Sequence, residues 1–322
     1  MPVILRGIAE NWPALSDPTR AWTPDNLAER FKDHLFKIGE HNRHKKRVWM
    51  TMRDYLTYMR SQRDDKPIYL FDDGFAERVP ELLKDYSIPE YFIEDLYAAM
   101  GDHRPPFRWV IIGPARSGTP FHIDPHGTSA WNVLLYGKKR WALYPPHISP
   151  PGLKVETDAQ GNILDMSSAY PTRFYHQMFA HMNEEHKPIE FVQEAGDMVF
   201  IPGGWWHQVL NLTETVSVTQ NFVNTSNLKW VVQSMCQHKE FEALTYWRDK
   251  ILPLRPEVYK TINKQMDWMH GRDAINKVQL LKDKKKQQQQ REEEYKQEIE
   301  RLKNELAKLG SGTQTNGVHK DV

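Results

Sequence analysis

From residue 107 to about residue 222 the chain reads as short runs rich in β-branched and aromatic residues, broken by Gly and Pro. The runs are Phe107 to Ile112, Thr119 to Ile123, Ala130 to Tyr136, Arg140 to Tyr144, Ile189 to Val192, Met198 to Ile201, His207 to Leu210 and Thr215 to Phe222. About eight strands with turn signals between them predict a sandwich or barrel. Residues 147–188 interrupt the series with Pro150-Pro151-Gly152 and many polar groups, which predicts a long functional loop or a partly helical excursion. Upstream the pattern is mixed. Val3 to Leu5 and Ile68 to Phe71 read as strands, Thr23-Pro24 and Thr51 to Asp54 as helix entries, and Pro89 to Met100 as a helix with Phe92, Leu96 and Met100 on one stripe.

After Asn224 the strand pattern stops, and Trp230, Val231, Met235, Phe241, Leu244, Tyr246 and Trp247 predict helices through about Trp268. That aromatic load is too high for a solvated surface, so these helices cover the barrel or meet a second copy of the chain. Residues 276–309 turn polar, yet Tyr295, Ile299, Leu302, Leu306 and Leu309 alternate steps of four and three, the spacing of a coiled-coil seam. A solitary solvated helix with ion pairs along it fits the same stretch. The pattern is thus mainly β with flanking helices. It divides into an N-terminal α/β region (1–75), a domain holding the barrel strands (76–240), a helical region (241–275), a charged helix (276–310) and a disordered tail (311–322).

Composition narrows the chemistry. The chain has 322 residues, enough to bury a substantial core. A single cysteine, Cys236, excludes an internal disulfide and any Cys-rich metal site, and favours an intracellular setting. No apolar run approaches the ~20 residues of a membrane span, and the first residues show no charged lead into an apolar segment, so neither membrane insertion nor a secretory signal is expected. A net charge of +1 gives no global argument for nucleic-acid binding, although local basic clusters exist.

The densest candidate chemistry is His122-Ile123-Asp124. In a strand, period two sends the imidazole and the carboxylate to one side. His207, at the start of a later strand after Pro202-Gly203-Gly204-Trp205-Trp206, can lie beside them in an antiparallel barrel. Two imidazoles and one carboxylate form the facial set of non-haem Fe(II) sites, which leaves about three coordination positions open. The competing reading is an Asp accepting hydrogen bonds at a strand end beside a packed histidine. Lys139 and Arg140 weigh against it, because they fall in a segment otherwise read as buried wall, and a cation there needs an anion to meet it.

The run Arg116 to Asn132, with Thr119-Pro120-Phe121-His122-Ile123-Asp124-Pro125-His126-Gly127 at its centre, closely resembles the jumonji-C oxygenases. So do Gly137-Lys138-Lys139-Arg140-Trp141, Pro202 to Leu212 and Thr219-Gln220-Asn221-Phe222, in order and at similar spacing. Within that family the branch of bifunctional arginine demethylases and lysyl hydroxylases is the most similar. The resemblance implies a double-stranded β-helix, a jelly-roll or cupin-like barrel, followed by a C-terminal helical region. It implies His122, Asp124 and His207 as ligands of Fe(2+), with 2-oxoglutarate and O2 as co-substrates. It places Lys139 on the far carboxylate of 2-oxoglutarate, with Thr219 donating a hydroxyl hydrogen bond, Asn132 nearby and Tyr69 reaching in from an earlier strand. Asn221 and Thr119 match positions lining the same pocket. The expected activity is hydroxylation of protein side chains, lysyl groups in Lys/Arg-rich splicing or chromatin proteins first and arginine demethylation second. The expected location is the nucleus, otherwise the cytoplasm, with Arg43 to Arg47 and Lys282 to Lys286 as basic clusters that could serve import. Two other classes are compatible with parts of the pattern: a cupin-type metal enzyme acting on a small molecule, and a catalytically silent scaffold whose helices bind partners.

Overall fold

The computed structural model describes residues 1–39, 48–157 and 163–310. The basic cluster Arg43 to Arg47 and the tail 311–322 lie outside them. The chain divides into two compact units, Met1–Gln265 and Met266–Val322. Among the described residues no helix is long and apolar enough to cross a membrane.

Among the described residues the first unit contains fourteen strands. Four precede the expected barrel: β1 (Val3–Leu5), β2 (Leu35–Ile38), β3 (Val48–Thr51) and β4 (Leu70–Asp72). Next come β5 (Arg108–Gly113), β6 (Gly118–His122), β7 (Ser129–Tyr136) and β8 (Lys138–Tyr144). A small hairpin, β9 (Lys154–Thr157) and β10 (Ile163–Ser167), lies in the interrupting segment. The series ends with β11 (Ile189–Glu194), β12 (Met198–Ile201), β13 (Trp206–Asn211) and β14 (Thr215–Phe222). One eight-stranded sheet has the order β1-β12-β7-β14-β5-β4-β2-β3, and a four-stranded sheet has the order β11-β8-β13-β6. Every pairing is antiparallel, and strands remote in sequence are neighbours, as in the double-stranded β-helix.

Alternation along the strands sorts the side chains. On β5, β7 and β14, Val110, Ile112, Val133, Leu135, Val216 and Val218 join the largest core cluster, together with Leu27 and Phe31 of helix Pro24–Phe31 and Tyr55 and Leu56 of helix Met52–Ser61. Both helices start where their caps predict, since Thr23 Oγ1 accepts from Asn26 N and Thr51 Oγ1 from Asp54 N. This face of the large sheet is therefore sealed, and the opposite face is left for the cavity.

Three expectations change. The boundary at residue 75 is no break in the sheet, because β1 pairs with β12 and β4 with β5. The helix expected from Pro89 to Met100 is instead two 3-10 stretches, Glu90–Phe92 and Leu96–His103. Phe92, Leu96 and Met100 are all buried, so the apolar stripe is real. Asp95 interrupts it by accepting from Tyr97 N and from Val223 N of the chain after β14, which ties the segment to the barrel. Lys139 and Arg140, read together as cations of the wall, part company as neighbours in a strand must: Lys139 is buried, while Arg140 pairs with Glu190 and lies over the Tyr175 ring.

Downstream, helices Leu228–Gln237 and Phe241–Ile251 bury Val231, Met235, Leu244 and Trp247, and Trp247 Nε1 donates to the Leu96 carbonyl. A final helix is formed by Pro256–Gly310. In it Tyr295, Ile299 and Leu302 are exposed.

Candidate active site

His122 and His207 are direct cross-strand partners on β6 and β13. Opposed residues on adjacent antiparallel strands hold their side chains within a few ångströms, and here the ring centroids are 4.1 Å apart. Asp124 was expected within the same strand. It lies just past the end of β6, before a short 3-10 turn, but its backbone stays extended (φ −58°, ψ 148°), so the carboxylate keeps the side of His122. Asp124 Oδ1 is 3.9 Å from His122 Nε2 and 3.7 Å from His207 Nε2, and one atom from each residue falls within 4.8 Å of the others.

The surroundings orient these three groups toward one point. His122 Nδ1 donates to the Pro120 carbonyl (2.9 Å) and His207 Nδ1 to the Trp205 carbonyl (3.1 Å), which leaves each Nε2 lone pair free. Burial, reinforced by His122 alongside, pushes His207 down to about 4, against the opposing pull of Asp124 and the Trp205 carbonyl. The imidazole is then neutral at pH 7, as a metal ligand must be. Asp124 Oδ2 is buried without a hydrogen-bond partner. A carboxylate oxygen stripped of water and left unpaired is costly, and a cation at the common point resolves it. Metal bonds of about 2.0–2.2 Å put neighbouring donors roughly 3 Å apart, so a slight closing of the present geometry accommodates an ion. The donor set suits Fe(II) with open positions.

The triad opens into a cavity of about 240 Å³. Tyr69, Thr119, Asn132, Lys139, Thr219 and Asn221, all implicated from the sequence, line it together with His122, Asp124 and His207. Lys139 is its deep cation: the side chain is buried, and Nζ donates to Ser217 Oγ at 2.6 Å. Burial alone pushes it down to about 7 from 10.5. Thr219, expected to donate to the co-substrate, donates to the Trp131 carbonyl (2.9 Å). Asn221 Nδ2 donates to Thr128 Oγ1 (3.0 Å), and Asn132 Oδ1 is buried without a partner.

Four lining or supporting residues were not singled out in the sequence: Ser217, Asn211, Phe71 and Trp109. Ser217 carries a signal, since it stands two residues before Thr219 on β14 and must share its face. Asn211 is the cross-strand partner of Lys139 and donates through Nδ2 to Ser117 Oγ. Phe71 depends on the pairing of β4 with β5 and Trp109 on that of β5 with β14, long-range events that the local pattern does not encode. One glycine is required here. Gly118 has φ +155°, and a Cβ at that position would collide with the Val209 backbone, so β6 and β13 can approach closely enough to bring the histidines together.

A barrel of two antiparallel sheets with a two-histidine, one-carboxylate centre at its open end defines the class of cupin-like metal oxygenases. A model described as "JmjC domain, hydroxylase" matches residues 109–222. The chain is 43% identical over 235 residues to "Lysine-specific demethylase JMJ21" of Arabidopsis thaliana, covering 73% of this chain and 24% of that protein. It is 40% identical over 272 residues to "Bifunctional arginine demethylase and lysyl-hydroxylase psr-1" of Caenorhabditis briggsae, covering 83% of this chain and 67% of that one. It is 33% identical over 216 residues to the human "2-oxoglutarate and iron-dependent oxygenase JMJD4", covering 63% and 49%. The chain belongs to the JmjC family. It spans about a quarter of the length of the first of these relatives and about half of the third.

Proposed function

We propose that this chain is an Fe(II)- and 2-oxoglutarate-dependent oxygenase acting on protein side chains, hydroxylating lysyl groups first and demethylating arginine second. The observation that carries it is Lys139. A buried ammonium with one hydroxyl for a partner has no use in packing, whereas it answers the distal carboxylate of a dicarboxylic acid whose other end chelates a metal held by His122, Asp124 and His207. A metal isomerase or a silent scaffold gives no reason for a cation so placed.

The chain's own part is positional. The two histidines are fixed by backbone carbonyls, and the cavity walls hold the reacting groups in one place. Ferrous iron with 2-oxoglutarate supplies the O2 chemistry that inserts an oxygen atom into a C–H bond of the target. Lys139 sets the direction in which the dicarboxylate lies, and Asn132, with an acceptor oxygen unused, borders the same space. Hydroxylation at a lysyl carbon gives a stable product, while hydroxylation at an N-methyl carbon gives a hemiaminal that releases formaldehyde. The names of the psr-1 and JMJ21 relatives support both outcomes.

The test is aerobic succinate formation from 2-oxoglutarate with Fe(II) and a basic peptide. Turnover is expected in the unaltered chain and lost in His122→Ala. A folded, metal-loaded chain that forms no succinate refutes the proposal. Mass spectrometry of a treated lysate, seeking a gain of one oxygen on lysine against loss of a methyl from arginine, chooses between the reactions.

The proposal extends to nuclear action on Lys/Arg-rich proteins, supported by the exposed cluster Lys282 to Lys286, and to self-association through the C-terminal helices, supported by the exposed seam Tyr295, Ile299 and Leu302. Sedimentation of the full chain with and without Ile299→Lys and Leu302→Lys checks the seam. A tagged chain with Lys284, Lys285 and Lys286 all changed to Glu checks import.

A further inference from the structure

Resting on the oxygenase reading, a second question is how the cavity takes hold of a cationic target. The lining contains one carboxylate, Asp124, and that oxygen pair is committed to the metal site. Carboxylates just outside are committed too: Asp72 to Arg78, Asp73 to Lys37 and Glu77 to Arg108. Among the described lining residues the cation is Lys139, deep in the cavity and of the same sign as the target. Among the described residues, no free carboxylate is available to pair with a lysyl ammonium or a guanidinium in this space.

Aromatic rings line the same space. A cross-strand row runs Ser217, Ile111, Phe71 over β14, β5 and β4, and beside it Thr219 opposes Trp109. Paired residues point to the same side of a sheet. The row therefore leads from the hydroxyl that holds Lys139 toward solvent: Ser217 is fully buried, while Ile111 and Phe71 are partly exposed, as is Trp109. Phe71 and Trp109 stack with centroids 5.6 Å apart and planes 21° from parallel, and Tyr69 meets the edge of Phe71 at 5.9 Å. All three rings line the cavity that contains the triad. The negative face of an aromatic ring attracts a cation without an ionised group, most strongly where water is excluded.

We propose that Phe71 and Trp109 are the specificity-determining wall for the target residue, receiving the stem and positive end of a cationic side chain on stacked ring faces instead of on carboxylates. The co-substrate keeps the buried half of the cavity, around Lys139, and the target occupies the half nearer solvent. A wall of this kind tolerates methylation of the nitrogen, because the attraction to the ring face does not depend on a directed N–H bond. A single chain able to take both a lysyl and a methylated guanidinium group is the expected consequence.

The experiment compares two blocked amino acids of matching stem, Nα-acetyl-lysine methylamide and Nα-acetyl-norleucine methylamide. Each is titrated by NMR into the full chain holding Zn(II) in place of iron and saturated with 2-oxoglutarate. The unaltered chain is expected to prefer the lysine probe on the order of tenfold, the scale of one or two desolvated cation–π contacts. Phe71→Leu and Trp109→Leu keep an apolar side chain but lose the ring, and are expected to reduce that preference toward parity. Phe71→Tyr and Trp109→Phe keep a ring and are expected to retain it. Preference is a ratio within one protein, so a modest loss of stability does not imitate the effect. An undiminished preference in both leucine variants, or no preference in the unaltered chain, overturns the wall. Failure of 2-oxoglutarate itself to bind is a separate result, which refutes the oxygenase reading and removes the basis of this one.

Discussion

Lys139 ties co-substrate binding to pH. Burial alone holds it at about 7, against 10.5 for an unperturbed lysine. Each pKa unit corresponds to about 1.4 kcal/mol, so the charged form costs about 5 kcal/mol at this position in the absence of an anion. Below pH 7 the group is protonated in both the folded and the unfolded chain, and the full cost is present. Between 7 and 10.5 the unfolded chain binds the extra proton, so stability from this group rises with pH across that window. A dicarboxylate seated against Nζ raises the pKa again. Binding at pH 8 must then draw close to one proton from solution, and at pH 6 almost none. Affinity falls by about tenfold for each pH unit above 7, by the same linkage. Calorimetry of 2-oxoglutarate binding to the metal-loaded chain under argon, in buffers of differing ionisation enthalpy, measures the uptake. Lys139→Met should abolish the uptake, weaken binding by at least a hundredfold, and leave the ligand-free protein more stable at pH 6 than the unaltered chain. Binding at pH 8 with no proton exchange refutes the reasoning, since it would mean that Lys139 is charged without the ligand or that the ligand does not meet it.

Other expectations follow from single contacts. His207→Ala should remove the rise in melting temperature that Fe(II) or Mn(II) confers on the unaltered chain, measured by thermal scanning with and without metal. Ser217→Ala deletes the hydroxyl partner of the Lys139 ammonium and should destabilise the ligand-free chain by about 1–3 kcal/mol in urea titration, with much of the loss recovered when 2-oxoglutarate is added. Gly118→Ala forces a side chain onto the Val209 backbone at a positive φ and should cost about 1–3 kcal/mol. It should also weaken metal binding, because His122 lies on the same strand.

The candidate metal centre was legible because its pattern is local: two of the three groups that the structure brings together stand two residues apart, and the third follows a glycine turn at the start of a strand. Lys139 was legible as a charge in an apolar wall, but Arg140 looked the same until strand alternation separated them. Less could be read where the deciding contact is distant. Asp95 ends a helical pattern by reaching the chain after β14, a partner 128 residues away. The strands before residue 75 look like a separate region because their pairing with β5 and β12 leaves no mark on their own composition. Ser217 is an ordinary strand serine until Lys139 is placed opposite it.

The two imidazoles and the carboxylate are mounted differently. His122 and His207 sit on paired strands whose geometry is settled when the barrel folds, while Asp124 stands beyond the strand end on a short turn. The two imidazoles thus form a two-point chelate set by the strands alone. Loading costs little ordering entropy, since one short turn must adjust while the sheets stay as they are. Iron should therefore exchange in and out of the folded chain without global unfolding, at a rate set by the Asp124 turn.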